Sequence, residues 1–291
     1  MVLAQPEKRL RQSVSIQKRA RVWPALVSVA GRVANNIAVN PLLSSPHLAR
    51  LFAARVAINV DEIFWKSVDF LIPPRCVACG IAGHTFCASC AAAVQLCRAP
   101  LCTKCGFPLA GSPGAACDFC SRHNLKVDRL LAAGMHRGPL QLAIHALKYR
   151  RNRALAAQLG SLMAAAWPAD APANALLVPV PLARQRRSAR GFNQAEVLAR
   201  QLGWRLGLRV DGAVLQRTRE TRSQVGLGAV ARGENVSGAF TANARRLRGR
   251  RTVLIDDVCT TGATLSECAV ALRAAGAPLV WAFTLARAAR S

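Results

Sequence analysis

The chain has 291 residues, of which 52% are apolar, so it is long enough to bury one large core or two smaller ones. Its formal net charge is +26, and arginine supplies 34 of its 40 basic residues. This charge favours anionic partners such as nucleic acid, phosphorylated small molecules or a membrane surface, although enrichment in arginine and alanine is equally typical of a GC-rich genome. No charge-free apolar run reaches the about 18 residues of a membrane span, which argues against a transmembrane segment.

The first sixty residues are basic and carry no recognisable motif. They hold nine lysines or arginines and a single acid, Glu7, and their apolar periodicity is weak. We expect residues 1–60 to be a poorly ordered basic extension, with an arm that binds nucleic acid or membrane as the alternative. Because no secretory signal is evident, the expected location is the cytoplasm, where the chain's eleven cysteines favour metal ligation or free thiols over disulfides.

Residues 61–122 are predicted to form a separate cysteine-rich module that binds zinc. The module opens with a short amphipathic segment, 61–74, which is predicted to be helical and ends at two prolines. Four CxxC pairs follow, and two thiolates separated by two residues can reach the same ion on a tight turn. The predicted zinc ligands are Cys76, Cys79, Cys87, Cys90, Cys102, Cys105, Cys117 and Cys120.

Eight thiolates are enough for two tetrahedral zinc ions of structural type. In a sequential arrangement the first and second pairs share one ion and the third and fourth share the other, whereas an interleaved arrangement joins the first pair to the third. The sequential arrangement is favoured. Cys97, His84 and His123 are left over and are interpreted as bystanders. Because the module is small and polar, zinc binding and folding are expected to be one event.

Residues 123–291 alternate strands with helices, which predicts an α/β domain with a mainly parallel sheet. The predicted strands are Asp128–His136, Ala175–Pro181, Ala213–Thr218, Thr252–Asp257 and Leu279–Leu285. The predicted helices are Pro139–Tyr149, Arg153–Trp167, Asn193–Leu206 and Ala263–Ala275.

The strand that begins at Thr252 predicts a sugar-phosphate site where it ends. Two carboxylates at the end of a strand can hold the hydroxyls of a ribose, and a loop of small residues before a helix presents backbone N–H groups to a phosphate. The alternative, a helix cap after a core strand, does not explain two acids beside three threonines. The predicted site residues are Asp256, Asp257, Thr260, Thr261, Gly262, Ala263 and Thr264.

Two further segments are predicted to serve this site. The turn that follows Pro181 contains four arginines, among them Arg190, and this charge suits a pyrophosphate group; the alternative is a solvated basic loop. The segment 217–240 is long and polar, and it is interpreted either as a mobile lid or as a plain surface loop.

With these segments in order, the sequence resembles the ComF family of competence-associated, phosphoribosyltransferase-like proteins. The resemblance spans about residues 65–288. Its matching segments are the cysteine module, HALKYRRNRALA (145–156), VPVPLARQRRSARGFNQAEVLA (178–199), RTRETRSQVGLGAVARGENVSGAF (217–240) and VLIDDVCTTGATL (253–265).

The resemblance implies a type I phosphoribosyltransferase fold, with a five-stranded sheet, that uses phosphoribosyl pyrophosphate (PRPP) and Mg²⁺. It implies that Asp256 and Asp257 are the catalytic pair that holds the ribose hydroxyls, and that residues 260–264 hold the 5-phosphate. Pro181 and Arg190 would face the pyrophosphate. Ala263 departs from the commonest loop, where a small hydroxyl residue often stands.

The expected function is therefore that of a PRPP-binding phosphoribosyltransferase linked to DNA uptake, whose acceptor the sequence does not identify. The cysteine module is a candidate for the hood that recognises the acceptor. The alternative is a non-catalytic protein that uses the same fold to bind single-stranded DNA or to sense PRPP. The net charge favours nucleic acid, whereas the intact acid pair and threonine loop favour a working sugar-phosphate site.

Overall fold

The computed structural model of the protein describes residues 73–109, 117–149, 152–219 and 237–288. Residues 74–291 form one compact unit. The predicted basic extension, nearly all of the predicted helix at 61–74 and most of the segment 217–240 lie outside the described residues.

A parallel sheet flanked by helices forms the centre of this unit. The order of the four strands is β1-β6-β5-β2, and each neighbouring pair is parallel. The fold class predicted from the sequence, a mainly parallel α/β sheet with a cysteine-rich module before it, is confirmed. The strands are β1 (Arg129–Met135), β2 (Leu176–Pro179), β3 (Leu215–Arg217), β4 (Phe240–Ala242), β5 (Thr252–Cys259) and β6 (Val280–Arg287).

The helices lie on both faces of the sheet, and each half of the cysteine module contains one short helix. They are α1 (Ala88–Ala92), α2 (Asp118–Arg122), α3 (Gly138–Tyr149), α4 (Leu155–Ala165), α5 (Arg184–Arg190), α6 (Gln194–Leu206), α7 (Ala244–Leu247) and α8 (Ala263–Ala274).

The predicted strand at Ala213–Thr218 is present, but among the described residues the main sheet has four strands and not the five that the resemblance implies. The strand found there, β3, pairs antiparallel with β4 in a separate two-stranded sheet. What continues the main sheet beyond β2 is a single parallel bridge between Leu177 and Val210. Leu177 donates its N–H to Arg209 and accepts from Asp211, after which the chain leaves the edge. A single bridge is too short to form a strand, so the chain at Val210 only begins a fifth strand beside β2.

The cysteine module covers the free edge of β1. The chain between its two halves, residues 95–104, runs beside this strand: the N–H of Cys97 donates to the carbonyl of Ala133 (3.1 Å), and the N–H of Leu130 donates to the carbonyl of Lys104 (2.9 Å). Because an uncovered edge strand presents unpaired N–H and C=O groups, this pairing supplies the partners that β1 needs.

Each half of the module joins one of the two hydrophobic cores. Phe86 and Val94, in the first half, are buried in the core that contains α3, α4 and α6. Phe107, in the second half, is buried in the core that contains α8. The module thus packs against the α/β domain through apolar side chains as well as through backbone hydrogen bonds.

A glycine substitution in the second half tests how tightly the module is packed. Gly106 has a φ of +62°, and a Cβ there would lie 2.5 Å from the carbonyl oxygen of Leu130. We expect Gly106→Ala to lower the free energy of unfolding by about 2–4 kcal/mol, because a left-handed alanine alone costs about 1 kcal/mol and a backbone clash adds to it. Urea denaturation of the zinc-loaded protein measures this loss.

The matched control is Gly80, the equivalent glycine of the first half. Its φ is +80°, but a Cβ there would meet no atom within 4 Å. Gly80→Ala should therefore cost only the left-handed term of about 1 kcal/mol. Equal losses for the two variants would contradict the close approach at Leu130.

Candidate functional site

The structure gathers the eight predicted zinc ligands into two groups of four. The sequential arrangement is the one observed, and within each group the ligand atoms all lie within 4.8 Å of one another. The Sγ atoms of Cys79 and Cys87 lie 3.6 Å apart, and those of Cys105 and Cys117 lie 3.5 Å apart. Four sulfurs about 2.3 Å from a central zinc stand about 3.8 Å apart, so both groups fit this ion. The groups are Cys76, Cys79, Cys87 and Cys90, and Cys102, Cys105, Cys117 and Cys120.

Cys97, His84 and His123 belong to neither group within the described residues. The Sγ of Cys97 lies 3.7 Å from the sulfur of Met135. The ring of His123 packs edge-on against that of Phe119, with centroids 4.3 Å apart. Both contacts are those of packed side chains.

A cleft of about 340 Å³ opens at the carboxyl ends of β2 and β5, which is where ligands of parallel α/β sheets bind. All of the predicted sugar-phosphate and pyrophosphate residues line it. No described residue of the cysteine module does, so the expectation that this module forms a hood over the site finds no support here. The lining residues are His136, Lys148, Tyr149, Val180, Pro181, Leu182, Arg186, Arg190, Asn193, Gln194, Ala195, Arg217 and residues 256–265.

The two acidic residues of the cleft differ in their surroundings. Asp257 is buried, and its Oδ1 forms an ion pair with the Nζ of Lys148 at 3.0 Å. The Oδ1 of Asp256 accepts the N–H of Asp257 at 2.8 Å. Burial, and then the adjacent charge of Asp257, raise the pKa of Asp256 to about 7. The negative charge of Asp257 is therefore balanced by Lys148, whereas the ionised form of Asp256 would be stabilised by a further hydrogen-bond donor or a cation.

The threonine loop is shaped by the turn that starts α8. Gly262 caps this helix with a φ of +78°, a conformation that side chains other than glycine rarely adopt. A Cβ at Gly262 would also lie 2.4 Å from the Cδ2 of Leu125, so the loop rests directly on the residues that follow the cysteine module. The twelve-residue helix behind the loop directs its first N–H groups towards the cleft.

The basic segment after Pro181 folds as a short helix, α5, and not as the open turn expected from the sequence. Gly191 ends it with a φ of +80°. The guanidinium of Arg190 lies 5.2 Å from the ring centroid of Tyr149 and donates to the Oε1 of Gln194 at 3.0 Å. These contacts hold the arginine head at the cleft wall.

Among the lining residues that the sequence offered no reason to single out are His136, Lys148 and Tyr149. The last two lie in the segment HALKYRRNRALA, which carried part of the resemblance but had no assigned chemistry. The ring of Tyr149 lies against that of His145, one helical turn earlier, with centroids 4.7 Å apart. Only the fold reveals that this end of α3 faces Asp257.

Comparison with known proteins adds to this geometry. Residues 67–121 match the double zinc ribbon domain. The DNA utilization protein YhgH of Salmonella typhi is 34% identical over 225 residues, which cover 74% of this chain and 98% of that protein. The chain belongs to the ComF family. Competence protein F of Haemophilus influenzae is a further ComF relative, 30% identical over 74% of this chain and 97% of its own length.

More distant similarities accompany these ComF relatives. Competence protein ComFC of Bacillus subtilis is 25% identical over 78% of this chain and 90% of that protein. A solved structure of glutamine PRPP amidotransferase from B. subtilis, complexed with ADP and GMP, aligns with 44% of this chain and 25% of its own, at 21% identity and a TM-score of 0.31. Within the described ranges of this ComF protein, no helix has both the length and the apolar character of a membrane span.

The metal content of this ComF protein can be tested directly. We expect two zinc ions per chain in metal-replete protein, and loss of about one in Cys105→Ser, because three thiolates hold zinc much less tightly than four. Elemental analysis after gel filtration gives the count. Cys97→Ser is the matched control and should keep both ions, since Cys97 lies outside the two groups. A wild-type content below one zinc would contradict the assignment.

The raised pKa of Asp256 predicts a pH-dependent stability. The folded chain holds a proton on this carboxyl between pH 3.8 and about 7, where the unfolded chain has released it. Its contribution to stability therefore falls as pH rises through this window. We expect Asp256→Asn to become more stable relative to wild type on going from about pH 6 to about pH 8, as measured by urea denaturation with zinc present.

The control for this measurement is Asp170→Asn, which removes an exposed carboxylate paired with Arg129. Its stability difference from wild type should change little over the same pH range, since surface ion pairs are worth little. A parallel shift in both variants would contradict a specific effect at Asp256.

Proposed function

We propose that this ComF protein binds PRPP in the cleft and acts as a phosphoribosyltransferase linked to DNA uptake. The observation that carries the proposal is the meeting, in one cleft, of the acid pair, the threonine loop at the start of α8 and the basic segment that contains Arg190. These three parts suit the three parts of the ligand: ribose, 5-phosphate and pyrophosphate.

The acid pair suits the ribose. Carboxylates at the end of a strand accept hydrogen bonds from a vicinal diol, and Asp256, which is destabilised as an anion, gains most from such donors. Lys148 balances Asp257 before the ligand arrives. In the proposed complex, Lys148 is close enough to the ribose to help balance the charge of the ligand as well.

The threonine loop suits the 5-phosphate because backbone N–H groups, threonine hydroxyls and the positive end of the helix dipole converge there. Ala263 supplies only its N–H, which lies 3.4 Å from the Oγ1 of Thr261. On the other side of the cleft, Arg186 and Arg190 suit the pyrophosphate, since guanidinium groups bind phosphate oxygens in bidentate fashion.

Catalysis would rest on stabilising the leaving pyrophosphate and on orienting the acceptor. Asp256 and Asp257 offer the oxygen ligands that Mg²⁺ prefers, and the ion, when bound, would neutralise charge on the pyrophosphate. The arginines of α5 would add to this effect as the bond to C1 breaks. His136 lines the cleft, and because burial lowers its pKa its ring is neutral at neutral pH and able to accept a proton.

The link to DNA comes from the relatives. YhgH proteins are named for DNA utilization, and Competence protein F is named for competence. The net charge of +26 favours contact with nucleic acid. A protein that binds single-stranded DNA or senses PRPP without catalysis is the second candidate, and the same charge supports its DNA-binding form.

Calorimetry with PRPP and Mg²⁺ tests the site. We expect binding by the wild type and a loss of at least about a hundredfold in affinity in the double variant Asp256→Asn/Asp257→Asn, since each lost charge-assisted hydrogen bond costs about 1.5–3 kcal/mol. Asp170→Asn, remote from the cleft, is the matched control and should bind as the wild type does. A wild type that does not bind PRPP would refute the proposal.

Pyrophosphate release in the presence of a library of candidate acceptors separates the enzyme from the second candidate. Release that depends on one acceptor and is lost in the double variant supports a transferase. PRPP binding without release from any acceptor, together with steeply salt-dependent binding of single-stranded DNA, favours the non-catalytic protein.

A further inference from the structure

A buried arginine lies behind the threonine loop. Arg287 is the last residue of β6, and its exposed fraction is 1%. It stands between Met135 at the end of β1 and Cys259 at the end of β5, its partners in the parallel register. Arg287 thus occupies the middle of the sheet edge on which the cleft opens, one layer below the surface.

The guanidinium of Arg287 is only partly hydrogen-bonded within the described residues. Its guanidinium lies 4.0 Å from the ring centroid of Phe119 and 5.9 Å from that of Phe107. Its Nη1 donates to the Sγ of Cys259. The Nε and Nη2 atoms have no hydrogen-bond partner, and none of the ion pairs found among the described residues includes this arginine.

The contacts of Arg287 are too weak to compensate for burial of a full charge. Removing a guanidinium from water carries a large desolvation cost, and a cation–π contact offsets only part of it. A buried cation in such a position calls for an explanation.

The threonine loop provides one. Cys259 lines the cleft and directly precedes Thr260, and its Sγ lies 3.8 Å from the place of a Cβ on Gly262. An anion held by the loop would therefore have Arg287 behind it with only the Cys259 side chain between them. In a region shielded from water, a charge acts over such a distance with little screening.

We propose that Arg287 is a charge-balancing residue of the loop at Thr260–Thr264, and that its buried positive charge strengthens binding of a dianionic phosphate without touching it. Phe119 of the second zinc-binding group holds the guanidinium in this position. The inference rests on the proposed function, because it takes the loop to be the site of a phosphate.

Arg287→Met tests the proposal, because it keeps most of the side-chain volume and removes the charge. The affinity for ribose 5-phosphate, measured by calorimetry with Mg²⁺, is expected to fall at least about tenfold, because a charge several ångströms from a dianion contributes more than this at an effective dielectric constant near 20. Arg287→Lys keeps the charge and is expected to stay within about threefold of the wild type.

A second ligand separates charge from structure. The methyl ester of ribose 5-phosphate carries one negative charge where the parent carries two, so Arg287→Met is expected to weaken its binding only by about the square root of the factor found for the parent, roughly threefold for a tenfold loss. A purely structural role would distort the loop and weaken both ligands by the same factor. That result, or a similar loss in Arg287→Lys that is folded and zinc-loaded, overturns the proposal.

The outcomes also distinguish this inference from the proposed function. If the wild type binds ribose 5-phosphate and Arg287→Met binds it equally well, only the role of Arg287 is refuted. If the wild type binds neither ribose 5-phosphate nor PRPP, the proposed function falls and this inference falls with it. Should Arg287→Met fail to fold, Arg287→Gln, which removes the charge but keeps a polar head, replaces it in the comparison of the two ligands, and equal loss for both ligands overturns the proposal.

Discussion

The parallel pairing of β5 with its two neighbours is the constraint on which the rest of the structure depends. Because β2, β5 and β6 run in the same direction, their last residues, Pro179, Cys259 and Arg287, all lie towards one edge of the sheet. In sequence these segments are far apart. The cleft, its acid pair and the buried cation behind it exist only because three strands end together.

The cysteine module supports this arrangement from the side. Its central chain pairs with β1, its two halves extend the two hydrophobic cores, and Leu125, just after the module, rests against Gly262. The module does not line the cleft within the described residues, yet Phe119 lies on Arg287, one contact away from the threonine loop. The module therefore shapes the site through the packing behind it.

Local signals explain what the sequence could predict. The CxxC spacing predicts metal ligation, and a buried strand that leads into Asp256, Asp257 and a threonine turn predicts a sugar-phosphate site. Both predictions follow from residues that are neighbours in sequence. Lys148 and Arg287 carry no such signal. Lys148 reaches Asp257 across more than a hundred residues of chain, and Arg287 is an arginine at the end of an apolar strand, indistinguishable in a sequence rich in arginine. The sequence also does not predict the single bridge at Val210. Tertiary contacts decide whether this part of the chain pairs with the edge of the main sheet or, as β3 does, with β4.

The segment between the two groups of zinc ligands determines whether the edge of β1 stays covered. Residues 95–104 pair with the edge of β1, and one group of predicted zinc ligands lies at either end of this segment. Oxidation of the thiolates or chelation of the ions would release this cover and leave a seven-residue strand, almost wholly apolar, with its backbone open to a second molecule. Loss of zinc would then lead to self-association through the exposed β1 edges before the sheet itself unfolds.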